Sequence, residues 1–205
     1  LMGDHLEQND LARFASRGYK MVLYNQVRCS PAPNILSVNY DNFLCGKIAG
    51  EELVRHGHTR IVHVTGEPNK LSVQDRLDGF ASALTAAGIA FDREHQLEYG
   101  AFNRRSGGYK ATQRLLQRSW EDLPTALCAG SATMLMGTFE AIHDLGLRIP
   151  DDISLIGIDN VDTAIYTTPS LSLVSTSCEE IAMVTVARLI ELVENGSVTP
   201  IDFVI

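Results

Sequence analysis

Short β-rich runs alternate with amphipathic helical stretches along the whole chain, and most of the helical stretches stop at a glycine. No other feature of the sequence narrows the fold so far. Glu7 to Arg17 has helical periodicity and ends at Gly18, and Lys20–Tyr24 (KMVLY) and Ile35–Val38 read as strands. Cys45, Ile48, Ala49, Glu52 and Leu53 mark a second helix closed by Gly57, and Arg60–Thr65 (RIVHVT) is short, β-branched and strand-like. The pattern then recurs. Val73, Leu77, Phe80, Ala81 and Leu84 line a helix ended by Gly88, Gln96–Glu98 is a weak strand, and a helix runs from about Ser106 to Arg118. Thr125–Ala129 (TALCA) is a strand, Leu135, Thr138, Phe139 and Ile142 mark a helix closed by Gly146, and Ser154–Ile158 (SLIGI) is the clearest buried strand. Ser172–Ser175, a helix over Glu179–Val193 followed by Gly196, and a strand beginning at Asp202 complete the series.

Such alternation implies an α/β protein with parallel sheets covered on both faces. Right-handed crossovers put all the strand carboxyl ends on one side of each sheet. No apolar run reaches the roughly 18 residues of a membrane helix. The formal net charge of −8 and the scattered Lys and Arg argue against a phosphate-gripping surface on this chain. The four cysteines, Cys29, Cys45, Cys128 and Cys178, form no C-x-x-C pair, which suits a reducing cytoplasm. Dinucleotide, P-loop, zinc-protease and nucleophile-elbow motifs are all missing, so neither an enzyme, a cofactor nor a metal is expected.

Ligands of open α/β sheets bind outside the carboxyl ends of the strands. Four polar residues follow strands there: Asp41, Arg76, Ser131 and Asp159. Two carboxylates, a guanidinium and a hydroxyl suit a polyhydroxylated or otherwise polar ligand. Each has a plainer role open to it. Asp41, Ser131 and Asp159 are all suited to cap the helices that follow, and Arg76 to pair with an acid on a helix surface. On the ligand-binding reading, Arg76 sits at a cleft edge, and its removal leaves the fold intact.

Three stretches, Gly57–Gly66 (GHTRIVHVTG), Arg76–Phe80 (RLDGF) and Ile149–Asn160 (IPDDISLIGIDN), carry a resemblance, supported by Val38–Asn42 (VNYDN) and Pro169–Val174 (PSLSLV). In that order and spacing the chain resembles the effector-binding domain of the lactose/galactose repressor (LacI/GalR) family of bacterial transcription regulators. The resemblance implies a periplasmic-binding-protein-like fold of two Rossmann-like lobes joined by three crossings, with the effector between them. Mapped onto this chain, the crossings fall near Val62–Thr65, Ser175–Cys178 and Pro200–Ile201. The expected lobes are then residues 1–63 with 176–199, an incomplete N-terminal lobe, and residues 64–175 with 200–205. The helix-turn-helix DNA-binding domain is expected to lie outside this chain.

The family's effector contacts carry over onto Asp41, Arg76 and Asp159, and Phe102 and Cys178 occupy positions where members often place a side chain against the ligand. Where many sugar-binding members have Asn-Asp, this chain has Ser131-Ala132, and where the family commonly has Asp-Arg it has Asn25-Gln26. The resemblance implies a cytoplasmic homodimeric repressor domain that binds a small polar effector, sugar or sugar-like, and meets operator DNA only through the headpiece. The alternative is a periplasmic solute-binding protein of a transporter.

Overall fold

The computed structural model describes residues 8–24, 32–101, 104–118, 123–159, 162–196 and 203–204. The elements open with α1 (Gln8–Ser16), β1 (Met21–Tyr24), β2 (Ile35–Asn39), α2 (Asn42–Arg55), β3 (Ile61–Thr65), α3 (Leu71–Ala86) and β4 (Leu97–Tyr99). They continue with α4 (Arg105–Leu116), β5 (Ala126–Ala129), α5 (Ala132–Asp144), β6 (Ser154–Ile158), β7 (Ser172–Val174), α6 (Cys178–Asn195) and β8 (Phe203–Val204). A 3-10 turn over Asp162–Tyr166 precedes β7. Two compact units result, Leu1–Asp41 with Ser177–Ile205, and Asn42–Thr176.

The first unit holds a parallel sheet in the order β1-β2-β8. The alternation of β1 sorts its side chains to two faces. Met21 and Leu23 pack with Ile35 and with Leu11 of α1, while Val22 packs with Leu36, Val38 and Ile181 and Leu192 of α6. Helix α6 is capped by Ser177, whose hydroxyl accepts from the Glu180 N–H, and it ends at Gly196 in the left-handed region. Near that end the Lys20 ammonium donates to the Val193 carbonyl at 2.9 Å.

The second unit holds a five-stranded parallel sheet, β4-β3-β5-β6-β7. Its three central strands, β3, β5 and β6, are buried on both faces, so they read as nearly continuous apolar runs. Ile61, Ala126, Cys128, Ile156 and Ile158 face α2 and α3, where they meet Ala49, Leu53, Phe80 and Leu84. Val62, Val64, Leu127, Ala129 and Leu155 face α4 and α5, where they meet Leu115, Met134, Leu135 and Ile142.

On each face the two covering helices approach backbone to backbone. A Cβ on Gly46 of α2 would fall 1.8 Å from the Arg76 carbonyl of α3, and one on Gly79 would fall 1.9 Å from the Phe43 carbonyl. Across the sheet, a Cβ on Gly137 of α5 would fall 1.9 Å from the Arg105 carbonyl, and one on Gly108 would fall 2.4 Å from that of Met134. These separations leave no room for any side chain, so the glycines set the interhelical distance.

The division between units differs from the sequence expectation at its first and last boundaries. The first falls at Asp41/Asn42, not near residue 63, because β3 pairs with both β4 and β5 inside the second sheet. Val62–Thr65 is therefore mid-strand and not a crossing. The last strand, β8, pairs with β2, so Phe203–Val204 belong to the first unit and not to the second. The return falls between Thr176 and Ser177. Alternation counts strands and helices, but a strand inside a lobe and one that begins a lobe look alike in sequence. Pairing decides between them.

Gly46→Ala should cost roughly 3 kcal/mol or more, the upper range for overpacking, because a backbone carbonyl stands in the way. Gly57→Ala, with φ +82° and open space around the new Cβ, should cost only about 1 kcal/mol in backbone strain. Urea denaturation of both variants checks the ranking, and equal losses would refute the close helix crossing.

Candidate functional site

The carboxyl ends of β5 and β6 meet one guanidinium in the second unit. Arg76 projects from α3 and is 6% exposed. Its Nε donates to Asn42 Oδ1 at 2.9 Å, at the start of α2. Its Nη1 donates to the Gly130 carbonyl and to Asp159 Oδ2, both at 2.9 Å, and its Nη2 donates to Asp159 Oδ1 at 2.5 Å. Four of the five guanidinium N–H groups are thus engaged, two of them in a bidentate fork on one carboxylate.

The backbone around this fork is specialised. Asp159 directly follows β6 and has φ +82°, the one described non-glycine residue in the left-handed region. Aspartate tolerates that conformation better than most residues, and strain of this kind collects at functional sites. Its amide donates to the Val174 carbonyl at 3.1 Å, which fixes the turn. Gly130 directly follows β5, and a Cβ there would press on Thr65 Oγ1 at 2.7 Å and on His63 Cε1 at 3.2 Å. Glycine lets the carbonyl of residue 130 come down onto Arg76.

Beneath the fork lies His63, fully buried on β3 and set edge-to-face against Phe80 with ring centroids 4.8 Å apart. Neither ring nitrogen has a hydrogen-bond partner. Burial, and to a lesser degree the nearby Arg76 charge, lower its pKa to about 3. Cys128 on the neighbouring strand is fully buried, and burial pushes its thiol far up, with Arg76 pulling back less strongly. It is an inert thiol.

The candidate residues from the sequence sort unevenly. Arg76 and Asp159 are brought together directly. Asp41 is the last residue of the first unit, and its neighbour Asn42 is the one that meets Arg76. Asn42 is the second half of the Asp-Asn pair at the start of α2, and nothing in that pair marks which of the two meets Arg76. Ser131 caps α5, its hydroxyl accepting from the Met134 N–H at 3.4 Å. Cys178 is an exposed free thiol at the start of α6, lining a cavity of about 310 Å³ in the first unit with Val22, Tyr24 and Ile181. Phe102, like the Asn25-Gln26 pair and Cys29, lies outside the described residues. Among the described residues no cluster of His, Cys, Asp and Glu is placed to hold a metal ion, and no helix is long and apolar enough to cross a membrane.

One expectation needs correction. Arg76 is not a marginal cleft-edge side chain but a buried hub. Removing it takes the guanidinium away from the Asp159 carboxylate and the Gly130 carbonyl. Loss of one partner of a buried ion pair typically costs about 3–5 kcal/mol, and the partial exposure of Asp159 argues for the lower figure. Arg76→Ala should therefore lower stability by about 3 kcal/mol in a denaturant titration, and an unchanged midpoint would show that the hub is dispensable.

His63 makes stability depend on pH. The folded state keeps the imidazole neutral down to about pH 3, while in the unfolded chain it takes up a proton near its ordinary value of 6.5. Between those limits the unfolded state binds more protons, so stability present above pH 6.5 is lost as the pH falls. By pH 5 the loss is about 2 kcal/mol, at about 1.4 kcal/mol per pH unit. His63→Leu should remove that part of the acid sensitivity. An identical pH profile for the variant would show that the ring is not held neutral.

Residues 51–204 match the family described as Periplasmic binding protein-like domain. The HTH-type transcriptional repressor PurR of Erwinia tasmaniensis is 42% identical over 129 residues, which cover 63% of this chain and 37% of that protein. The ribose operon repressor of Haemophilus influenzae is 35% identical over 152 residues, covering 74% of this chain and 45% of the repressor. The chain thus spans less than half the length of these curated relatives, both named as repressors. A crystal structure of a sugar-binding transcriptional regulator of the LacI family from Escherichia coli, complexed with phosphate, superposes with a TM-score of 0.81 at 26% identity. That match covers 100% of this chain and 72% of the regulator.

Proposed function

Because the chain belongs to the periplasmic binding protein-like domain family, among regulators of the lactose/galactose repressor (LacI/GalR) type, we propose that it is the effector-binding part of a bacterial transcriptional repressor. The observation that carries the reading is the Arg76–Asp159 fork at the strand carboxyl ends, held in a strained left-handed turn. A helix cap alone needs neither the strain nor the buried cation. The effector is a small polar molecule, sugar or sugar-like, with Asp41, Arg76 and Asp159 as its principal contacts and Ser131, Phe102 and Cys178 as secondary ones. The carboxylates accept from hydroxyls, and the free Nη2–H of Arg76 donates to a ligand oxygen.

In the working regulator the domain forms a homodimer in the cytoplasm. Operator DNA is contacted through a helix-turn-helix headpiece, a module that reads DNA as a dimer. Effector binding changes DNA affinity through a coupling of about 1–3 kcal/mol. Cys45 and Cys128 are buried and in no disulfide, which fits a reducing compartment.

Thermal-shift titration against pentoses, hexoses, disaccharides and purine bases tests the reading. A true effector at 100 times its dissociation constant adds about 2.7 kcal/mol of stability. Asp41→Asn, which leaves the Arg76 hub untouched, should weaken that effector at least about ten-fold, by calorimetry, without lowering the unliganded melting temperature. No shift from any compound, or an Asp41→Asn affinity equal to that of the parent, counts against the site.

A further inference from the structure

Arg76 has five N–H groups, and the one left over decides what kind of ligand oxygen it can meet. Nη1, the terminal nitrogen cis to Cδ, spends both hydrogens, on the Gly130 carbonyl and on Asp159 Oδ2, each at 2.9 Å. Nη2 spends one hydrogen on Asp159 Oδ1. Its second hydrogen has no acceptor among the described residues. In a planar guanidinium that hydrogen lies parallel to Nε–H, and the two form the side edge of the fork. Asn42 Oδ1 already occupies the Nε half of that edge at 2.9 Å.

Asn42 is fixed in place by the helix it opens. It is buried, and the next residue's carbonyl, that of Phe43, stands 1.9 Å from where a Cβ on Gly79 of α3 would be. One turn on, Gly46 meets the Arg76 carbonyl in the same way. The helix carrying Asn42 and the helix carrying Arg76 are thus locked backbone to backbone within a turn of the amide. Only rotation of the Asn42 side chain could clear the edge, and that would leave a buried Nε–H without its acceptor.

An arginine binds a carboxylate best through two parallel N–H groups, on its end or on its side. Here Asp159 takes the end, and Asn42 takes half of the side. What remains is a single donor on a cation already answered by a carboxylate 2.5 Å away. A hydroxyl, ether or carbonyl oxygen needs one donor and no charge. A ligand carboxylate would gain one hydrogen bond there and would meet the charge of Asp159 across the same guanidinium. We propose that Asn42 is a specificity-determining residue: it closes the side edge of Arg76, so that the rim accepts a neutral oxygen and turns carboxylates away. The inference rests on reading this rim as the effector site, and it makes the group that meets Arg76 an uncharged one. Selection of this kind comes from what a site withholds from the wrong ligand.

The test follows the Arg76 Nε–H resonance of the full chain during titration with sodium acetate, with sodium chloride at equal ionic strength as the control. In the parent, acetate should move the resonance no further than chloride does. In Asn42→Ala, with the side edge open, acetate should give a saturable shift at roughly tens of millimolar. Asn42→Ser, whose oxygen is one bond closer to its own backbone, should open the edge too, which protects the result if the alanine variant folds poorly. In parallel, thermal-shift titrations compare galactose with galacturonate, glucose with glucuronate and ribose with ribonate. A sugar that binds the parent should bind more tightly than its acid, and Asn42→Ala should shrink that preference at least about ten-fold. If no sugar binds, the effector reading falls, while the acetate titration still decides the role of Asn42. An acetate response in the parent equal to that of the variants overturns the proposal, as do variants that stay as unresponsive as the parent. A parent that binds an acid more tightly than its neutral counterpart overturns it as well.

Discussion

A buried guanidinium in an α/β sheet is expensive unless nearly every donor is answered, and the organisation of the second unit follows from how Arg76 meets that requirement. Its partners come from three places far apart in sequence: the first residue of α2, the loop after β5 and the turn after β6. Each partner requires something of its own backbone. Gly130 has to lack a side chain so that its carbonyl can reach down, and Asp159 has to take a left-handed conformation so that both carboxylate oxygens face the fork. A single charged side chain thereby locks the strand carboxyl ends into one arrangement, at the end of a parallel sheet where ligands bind. Preorganisation of this sort lets a rim group meet a ligand without first being ordered.

The same arginine is tied to the helix layer through its own main chain. The Arg76 carbonyl lies where a side chain on Gly46 would have to be, so the close crossing of α2 and α3 and the position of the fork are one geometric fact. Asn42 and Gly46 sit on the same helix, one turn apart, with the first taking the guanidinium and the second admitting the helix that carries it. His63 completes the arrangement from below. A buried imidazole without partners is tolerated there because it stays neutral beneath a cation, packed on Phe80 as an aromatic ring would be. A polar residue in the core thus has a reading in packing alone.

Helix–strand alternation, glycine stops and β-branched runs were enough to place the elements within a residue or two. Ser154–Ile158 was located to the residue, and the helix read as Glu179–Val193 runs from Cys178 to Asn195. Arg76 and Asp159 were legible as site candidates because a topological rule, ligands at strand carboxyl ends, needs only the order of the elements. Ser131 was legible too, in the plainer role of a helix cap. The burial of Arg76 was not, since nothing in RLDGF distinguishes a rim side chain from one 6% exposed. The role of Asn42 is illegible for a comparable reason. Two adjacent polar residues opening a helix point in different directions, and only coordinates say which way.

What the sequence determined by itself was the local menu: which segments are helices, which are strands, and that the strands run parallel. These follow from short-range sterics and from the period of the apolar residues, both of which are written along the chain. What the tertiary structure decided was every relation between segments distant in sequence. It assigned β3 to the second sheet and β8 to the first, moved the boundary between units to Asp41/Asn42, and made Gly46 and Gly79 the points where helices touch. Strand pairing and close packing are properties of two surfaces at once. A residue's own neighbours in sequence therefore do not specify them, and only the folded chain brings both surfaces together.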